Sequence, residues 1–188
     1  KRKDGRIFVR ERTAAAARSG ARPAPAEHFV IIGGGAAGFA AAEMLRREGF
    51  GGEVTLLSAD DFVAYDRPNL SKDYLAGTAP EEWIPLRPLR FYADNGIDLR
   101  LGTEAAAIDP AQRRVELTRG GTVAFTKLLL ATGAEPIRLQ CPGADLPHVQ
   151  TLRSLAYCRA LISRAKKPGS RAVIVGASFI GLEAASAL

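Results

Sequence analysis

Three glycines spaced as Gly33-x-Gly35-x-x-Gly38, with an acid 22 residues further on at Asp60, are the residue types and the spacing that hold a dinucleotide. Each glycine answers a separate steric demand. Gly33 permits a tight turn out of a strand, Gly35 removes the side chain that would block a pyrophosphate, and Gly38 lets the next helix pack closely on that strand. The pyrophosphate then meets the helix N-terminus, where free N–H groups and the positive dipole end favour an anion. Gly34, Ala36 and Ala37 complete the turn and are counted with it, and Asp60 stands where an acid meets a ribose hydroxyl.

Such a turn works only if its flanking elements fix it. The run Phe29-Val30-Ile31-Ile32 leads into Gly33 with the apolar density of a fully buried parallel strand. A helix is predicted from about Ala36 to Glu48, rich in alanine and straight-chain residues, ending at Gly49 as a natural C-cap. A strand over Glu53 to Leu57 then delivers Asp60. This order of elements favours a dinucleotide site over an ordinary glycine-rich turn.

The design recurs from Arg171, where Ala-Val-Ile-Val leads into Gly176, Gly181 and a helix. Ser178 replaces the middle glycine, so its side chain turns away from the phosphates or the approach is less close. Phe179 and Ile180 lie between. Two dinucleotide sites are therefore expected, and the chain ends before the acid or arginine that would separate NADH from NADPH.

Between the two motifs, Tyr65-Asp66-Arg67-Pro68-Asn69-Leu70-Ser71-Lys72 reads as a turn into a short helix that Ser71 caps. Ile97 to Leu101 reads as a strand. Arg114 to Thr118 and Thr122 to Phe125 flank Gly120-Gly121 as a small antiparallel hairpin. Leu128-Leu129-Leu130 forms another buried strand, running into Ala131-Thr132-Gly133, where the glycine lets the backbone approach a ligand. A helix is expected from about Ser154 to Ala165. The fold class expected is α/β: a Rossmann-like three-layer ββα domain with an antiparallel β insertion, then the start of a second Rossmann-like domain.

The net charge of +6 could signal nucleic acid, so its distribution matters. Residues 1–22 hold eight of the 26 basic residues and two of the 20 acids, leaving eighteen of each sign in the remainder. A neutral body argues against a nucleic-acid-binding face. Cys141 and Cys158 show no zinc-type spacing, neither His28 nor His148 has neighbours suited to ligation, and no metal site is expected. Cys158 shares a helical face with Leu155 and Ile162 and reads as a core residue. No apolar run approaches the roughly 20 residues of a membrane span, and no signal peptide is visible, although one could lie upstream; a cytoplasmic location is expected.

Residue 1 is lysine, and the last residues are still in a helical pattern, so the chain reads as an internal fragment. Residues 5–12 read as a strand after an Asp-Gly hairpin turn whose first strand would lie upstream. Residues 13–26 are small, Pro-containing and unpatterned, as in an interdomain linker.

Three motifs, VIIGGGAAG, YDRPNLSK, and LLLATG followed by VIVGASFIGLE, resemble the two-dinucleotide flavoprotein reductases of the pyridine nucleotide-disulfide oxidoreductase superfamily, in their ferredoxin-reductase-like, apoptosis-inducing-factor-like branch. The resemblance runs from about His28 to Leu188. It implies FAD on the first site, within residues 27–148, and NAD(P)H on the second, beginning at residues 149–188. It also implies Arg67 and Lys72 as FAD contacts, with Lys72 near the flavin N5 edge and paired to Glu183. Ala105, Ala131, Thr132 and Gly133 are further FAD positions by the same likeness; Gly176, Ser178, Phe179, Ile180, Gly181 and Glu183 form the second site.

A buried ammonium beside the ring would stabilise reduced flavin, and a carboxylate partner would keep it from being an unpaired buried charge. Read without the family, Lys72 and Glu183 are equally solvated surface residues and Arg67 a turn residue. Relatives often carry arginine just after Ala-Thr-Gly-Ala, where this chain has Glu135 and Ile137, with Arg138 displaced by one.

KRKDGRIFVRER with its Pro-Ala linker is similar to the end of a Rieske iron-sulfur domain fused ahead of the reductase. The cluster's ligands would lie upstream, so a [2Fe-2S] centre is expected only there. No cysteine pair follows the first helix, so the flavin would pass electrons directly to an iron-sulfur acceptor, a Rieske centre or a ferredoxin. The competing expectations are a redox-sensing flavoprotein with slow turnover, and an inactive truncated product.

Overall fold

The computed structural model describes residues 27–188, together with the backbone of two short strands nearer the N-terminus. Strand β1 (Arg2–Lys3) pairs antiparallel with β2 (Arg6–Ile7). The first strand of the expected hairpin is thus Arg2–Lys3, within the chain and not upstream. The rest of the strand expected over residues 5–12, and the linker expected over 13–26, lie outside the described residues.

Strand β3 (His28–Ile32) enters the glycine turn, helix α1 (Ala36–Arg47) leaves it, and β4 (Glu53–Leu57) returns parallel to β3. Gly49 follows α1 in the left-handed region at φ 83°, the stop expected of it. After helices α2 (Asp73–Ala76) and α3 (Leu89–Asp94), β5 (Ile97–Arg100) joins the far side of β4. Strands β6 (Ala105–Asp109), β7 (Arg114–Leu117) and β8 (Thr122–Ala124) make an antiparallel sheet, and β9 (Lys127–Leu130) returns to β3. The four-stranded sheet has the order β5-β4-β3-β9, all parallel.

Burial explains why β3 shows no polar alternation. Ile31 packs with Phe39 and Ala42 of α1 and Tyr92 of α3 on one face. Val30 and Ile32 pack with Val115 and Val123 of the antiparallel sheet on the other. Each face of the strand is covered, which is the ββα layering expected.

A second cluster brings Tyr65, Leu70, Tyr74, Leu75 and Ile84 against helix α4 (Leu155–Ala165) and helix α5 (Phe179–Ala187), through Leu155, Cys158 and Ala184. Cys158 is the core residue its helical spacing predicts. Ser154 caps α4, its side chain accepting from the Tyr157 amide.

Three expectations are corrected. The second motif forms no strand over residues 172–175, and Val173 and Val175 are 91% and 73% exposed. A strand exists by pairing, and no described element lies alongside this one. β9 is not fully buried: it is the last strand of its sheet and Leu130 is 59% exposed. Ser71 does not cap α2; Lys72 is the N-cap residue, with no side-chain cap bond, and Asn69 Oδ1 accepts the Tyr74 amide.

Candidate functional site

The first glycine turn sits where β3, β4 and β9 end together. Gly33 N–H donates to the Leu57 carbonyl at 2.9 Å, and Ala131 N–H to the Ile32 carbonyl at 2.8 Å. Gly33 has φ 119°, and a Cβ there would collide with the Ala131 carbonyl oxygen, so both conformation and space require glycine. A Cβ on Gly34 would strike the Ser58 side chain, and one on Gly38 the Gly33 carbonyl.

Gly35 differs in kind. Its φ is −77°, and the only atom near an added Cβ is Arg67 Nη2 at 3.9 Å. Neither strain nor packing demands glycine there, which leaves the open approach itself as the reason for it. α1 begins at this point with no side-chain cap and no acid in its first turn, leaving its amides to an external acceptor.

Arg67 therefore lies beside the turn, with its guanidinium also over the Tyr65 ring at 5.6 Å. Ala36 and Ala37 are exposed at the mouth of the turn; Ala131, Thr132 and Gly133 follow β9 next to Gly33. Ala105 opens β6, half-buried against the Val30 and Leu57 cluster.

Asp60 reaches the end of β4 as expected, but its carboxylate is engaged. Oδ1 accepts the Phe62 amide at 3.2 Å, and Oδ2 accepts the Tyr65 hydroxyl at 2.9 Å. That hydroxyl in turn accepts the Leu155 amide at 3.1 Å, so buried Tyr65 links the acid after β4 to the start of α4. Burial pushes the Tyr65 phenol above its ordinary value.

The second turn reproduces the first. Gly176 has φ 114°, and a Cβ on Gly181 would strike the Gly176 carbonyl, as one on Gly38 strikes that of Gly33. Ser178 takes nearly the backbone angles of Gly35, φ −83° and ψ 179°, and its side chain makes no cap bond. Phe179 and Ile180 are both exposed at the start of α5.

Lys72 and Glu183 are brought together, with Nζ 3.0 Å from Oε2 and side-chain exposures of 49% and 32%. The ammonium is half-exposed, not buried as the likeness suggested. Ser71, on the short 3-10 turn Arg67–Ser71, donates to the same Glu183 oxygen at 2.6 Å. The Ser71 hydroxyl first, and the Lys72 ammonium second, hold the Glu183 carboxyl below its usual range.

Arg153 escaped the sequence reading. Its Nη2 lies 3.4 Å from where a Cβ on Gly133 would stand, and its buried Nε has no hydrogen-bond partner. A lone arginine in a loop has no periodicity to betray it, and only the fold returns it to the Ala131-Thr132-Gly133 corner. A cavity of about 520 Å³ opens elsewhere, at the end of the sheet remote from Gly33, lined by His28, Glu53, Thr55, Asp98 and Arg100. Cavity size therefore does not mark the nucleotide turn, whereas glycine geometry does.

Two glycine turns of one shape, each feeding a helix, with Lys72 paired to Glu183 of the second helix, have the geometry of a two-dinucleotide α/β protein. The pyridine nucleotide-disulphide oxidoreductase family profile matches residues 27–188, and the chain belongs to that family. It is 43% identical to rhodocoxin reductase of Rhodococcus erythropolis over 159 residues, covering 85% of this chain and 37% of the relative. Apoptosis-inducing factor 3 of Homo sapiens is 36% identical over 161 residues, covering 86% and 26%. Among solved structures, the ferredoxin reductase for the CYP199A2 system of Rhodopseudomonas palustris aligns with TM-score 0.80 at 36% identity, covering 86% of this chain and 40% of that one. The chain thus spans about two fifths or less of the length of these proteins. Among the described residues no helix is long and apolar enough to cross a membrane.

Proposed function

We propose that the first turn holds FAD and the second NAD(P)H, in a reductase that passes electrons to an iron-sulfur acceptor. Residues 27–148 then belong to the FAD domain and residues 149–188 open the nicotinamide domain. The observation that carries the reading is the shared geometry of the two turns, with Lys72 on one side and Glu183 on the other closing at 3.0 Å. The residues present fit a dinucleotide: an open approach at Gly35, uncapped amides on α1, Arg67 beside the turn, and an unpartnered Arg153 Nε at the Gly133 corner.

FAD held by these residues would supply the chemistry that accepts two electrons from a nicotinamide and passes them on singly. The chain's own part is electrostatic. Arg67 and Arg153 offer donors to an anionic ligand, and Lys72 supplies positive charge whose strength Glu183 moderates. Asp60 would orient the ribose, and its bonds to Tyr65 and the Phe62 amide hold it in place. The Rhodopseudomonas palustris ferredoxin reductase supports a ferredoxin-type acceptor. A fused Rieske centre upstream is the other form this acceptor takes, and the location that suits such a reductase is cytoplasmic.

Anaerobic mixing of the FAD-loaded protein with NADH and, separately, NADPH tests the reading. Flavin bleaching followed by reduction of added ferredoxin is expected, and the faster donor names the nicotinamide. The likeness to apoptosis-inducing factor 3 supplies the rival outcome, long-lived charge-transfer absorbance with no onward transfer.

A further inference from the structure

The Lys72–Glu183 pair has a third member whose role the family likeness does not assign. Ser71 is buried, and its hydroxyl donates to Glu183 Oε2 at 2.6 Å, the oxygen that also receives the Lys72 ammonium at 3.0 Å. The same hydroxyl lies 3.3 Å from the Pro68 carbonyl within its own turn. A hydroxyl has one proton, and the shorter bond to a charged acceptor takes it. Local turn chemistry therefore gives way to a bond spanning 112 residues of sequence.

We infer that Ser71 is a positioning residue: its hydroxyl holds the Glu183 carboxylate and shares the charge of Oε2 with Lys72, leaving part of the ammonium's charge available to a bound flavin. The hydrogen bond needs no bound cofactor, and its redox consequence rests on the function proposed above.

The sign of the effect follows from electrostatics. With Ser71 present, Oε2 is compensated by a hydroxyl dipole and an ammonium together. Without it, Lys72 alone compensates the carboxylate, is drawn onto it, and leaves the local potential more negative. A more negative potential disfavours added electrons. Loss of the hydroxyl therefore lowers the flavin midpoint potential and slows its reduction.

Ser71→Ala and Ser71→Thr test this in the full chain, the second variant keeping the hydroxyl. In the flavin-free protein at neutral pH, the carboxyl carbon resonance of Glu183 should shift in Ser71→Ala and return in Ser71→Thr. In the FAD-loaded protein, Ser71→Ala should show a more negative midpoint potential and a roughly three- to tenfold slower reduction by NADH, the scale of one ordinary hydrogen bond. The NADH KM should stay within about twofold, and Ser71→Thr should restore the rate.

An unmoved Glu183 resonance in Ser71→Ala overturns the hydrogen bond. A moved resonance with an unchanged midpoint potential overturns the redox role. If the parent chain takes up no FAD, the proposed function fails and the redox role with it, while the resonance still decides whether Ser71 holds Glu183. Should Ser71→Ala not fold, Ser71→Cys, a weak donor of similar size, carries the same comparison.

Discussion

Lys72 Nζ and Glu183 Oε2 stand 3.0 Å apart although 111 residues separate them, and they tie the turn that follows Arg67 to the helix of the second glycine motif. Both side chains keep substantial solvent contact, so the pair adds little to folding. Its consequence is electrostatic. Lys72→Met removes a cation and should make the potential of bound flavin more negative, whereas Glu183→Gln removes an anion and should make it more positive. Thermal unfolding of both variants should remain close to the parent. Shifts in the same direction would separate the pair from the flavin.

Gly33 and Gly35 are predicted to fail in different ways. Gly33→Ala meets both an unfavourable φ of 119° and the Ala131 carbonyl, and should cost at least about 2 kcal/mol in urea unfolding. Gly35→Ala meets open space at an ordinary φ of −77°, and should unfold within about 0.5 kcal/mol of the parent. Its FAD dissociation constant, read by quenching of flavin fluorescence, should nevertheless rise about tenfold or more, about 1.4 kcal/mol of lost approach. Equal FAD affinity in Gly35→Ala and parent would mean that no phosphate comes close to that residue.

Arg153 belongs to the Gly133 corner by position, and its Nε has no protein partner although it is buried. A ligand acceptor would satisfy it. Arg153→Ala should weaken FAD binding by about tenfold, the scale of one charge-assisted hydrogen bond, with little change in urea midpoint. Arg153→Lys, which cannot reproduce the planar donor fork, should recover only part of the loss. A variant that unfolds early but binds FAD normally once folded would make Arg153 structural.

The first motif was legible because its demands are local and steric: β3 is covered on both faces, and Gly33, Gly34 and Gly38 each face a backbone or side chain that a Cβ would strike. The second motif was legible only in its glycines and helix. Its strand needs a neighbour that the motif does not encode, so residues 172–175 remain unpaired in the described structure. β6 escaped notice because Ala105-Ala-Ala-Ile-Asp has no apolar alternation; it forms because β7 offers an edge. Ser71 read as a helix cap because serine before a short helix usually is one, yet α2 begins one residue later, with Lys72 at its N-cap, and the Ser71 hydroxyl donates to a carboxylate from α5. The Lys72–Glu183 contact came from family likeness, since neither residue carries a local signal of the other.

The buried thiol of Cys158 gives the fold an alkaline limit. It donates to the Leu70 carbonyl at 3.3 Å, and burial pushes its pKa up from 9.0 to about 11. The unfolded thiol ionises first as pH rises, so the folded state binds the extra proton in that window. Stability from this group is complete below pH 9.0 and is lost as pH rises to about 11, roughly 3 kcal/mol over the interval. Tyr65, Tyr74 and Tyr92, raised chiefly by burial from 10.0, add their own losses above that value. The thiol is therefore separable between pH 9 and 10, before the tyrosines dominate. Cys158→Ala should lower urea stability at pH 7 by a small cavity cost of about 1 kcal/mol, and its stability should stay flatter than the parent's across that unit. A parent and variant that lose stability in parallel from pH 9 to 10 would place the alkaline sensitivity elsewhere than at Cys158.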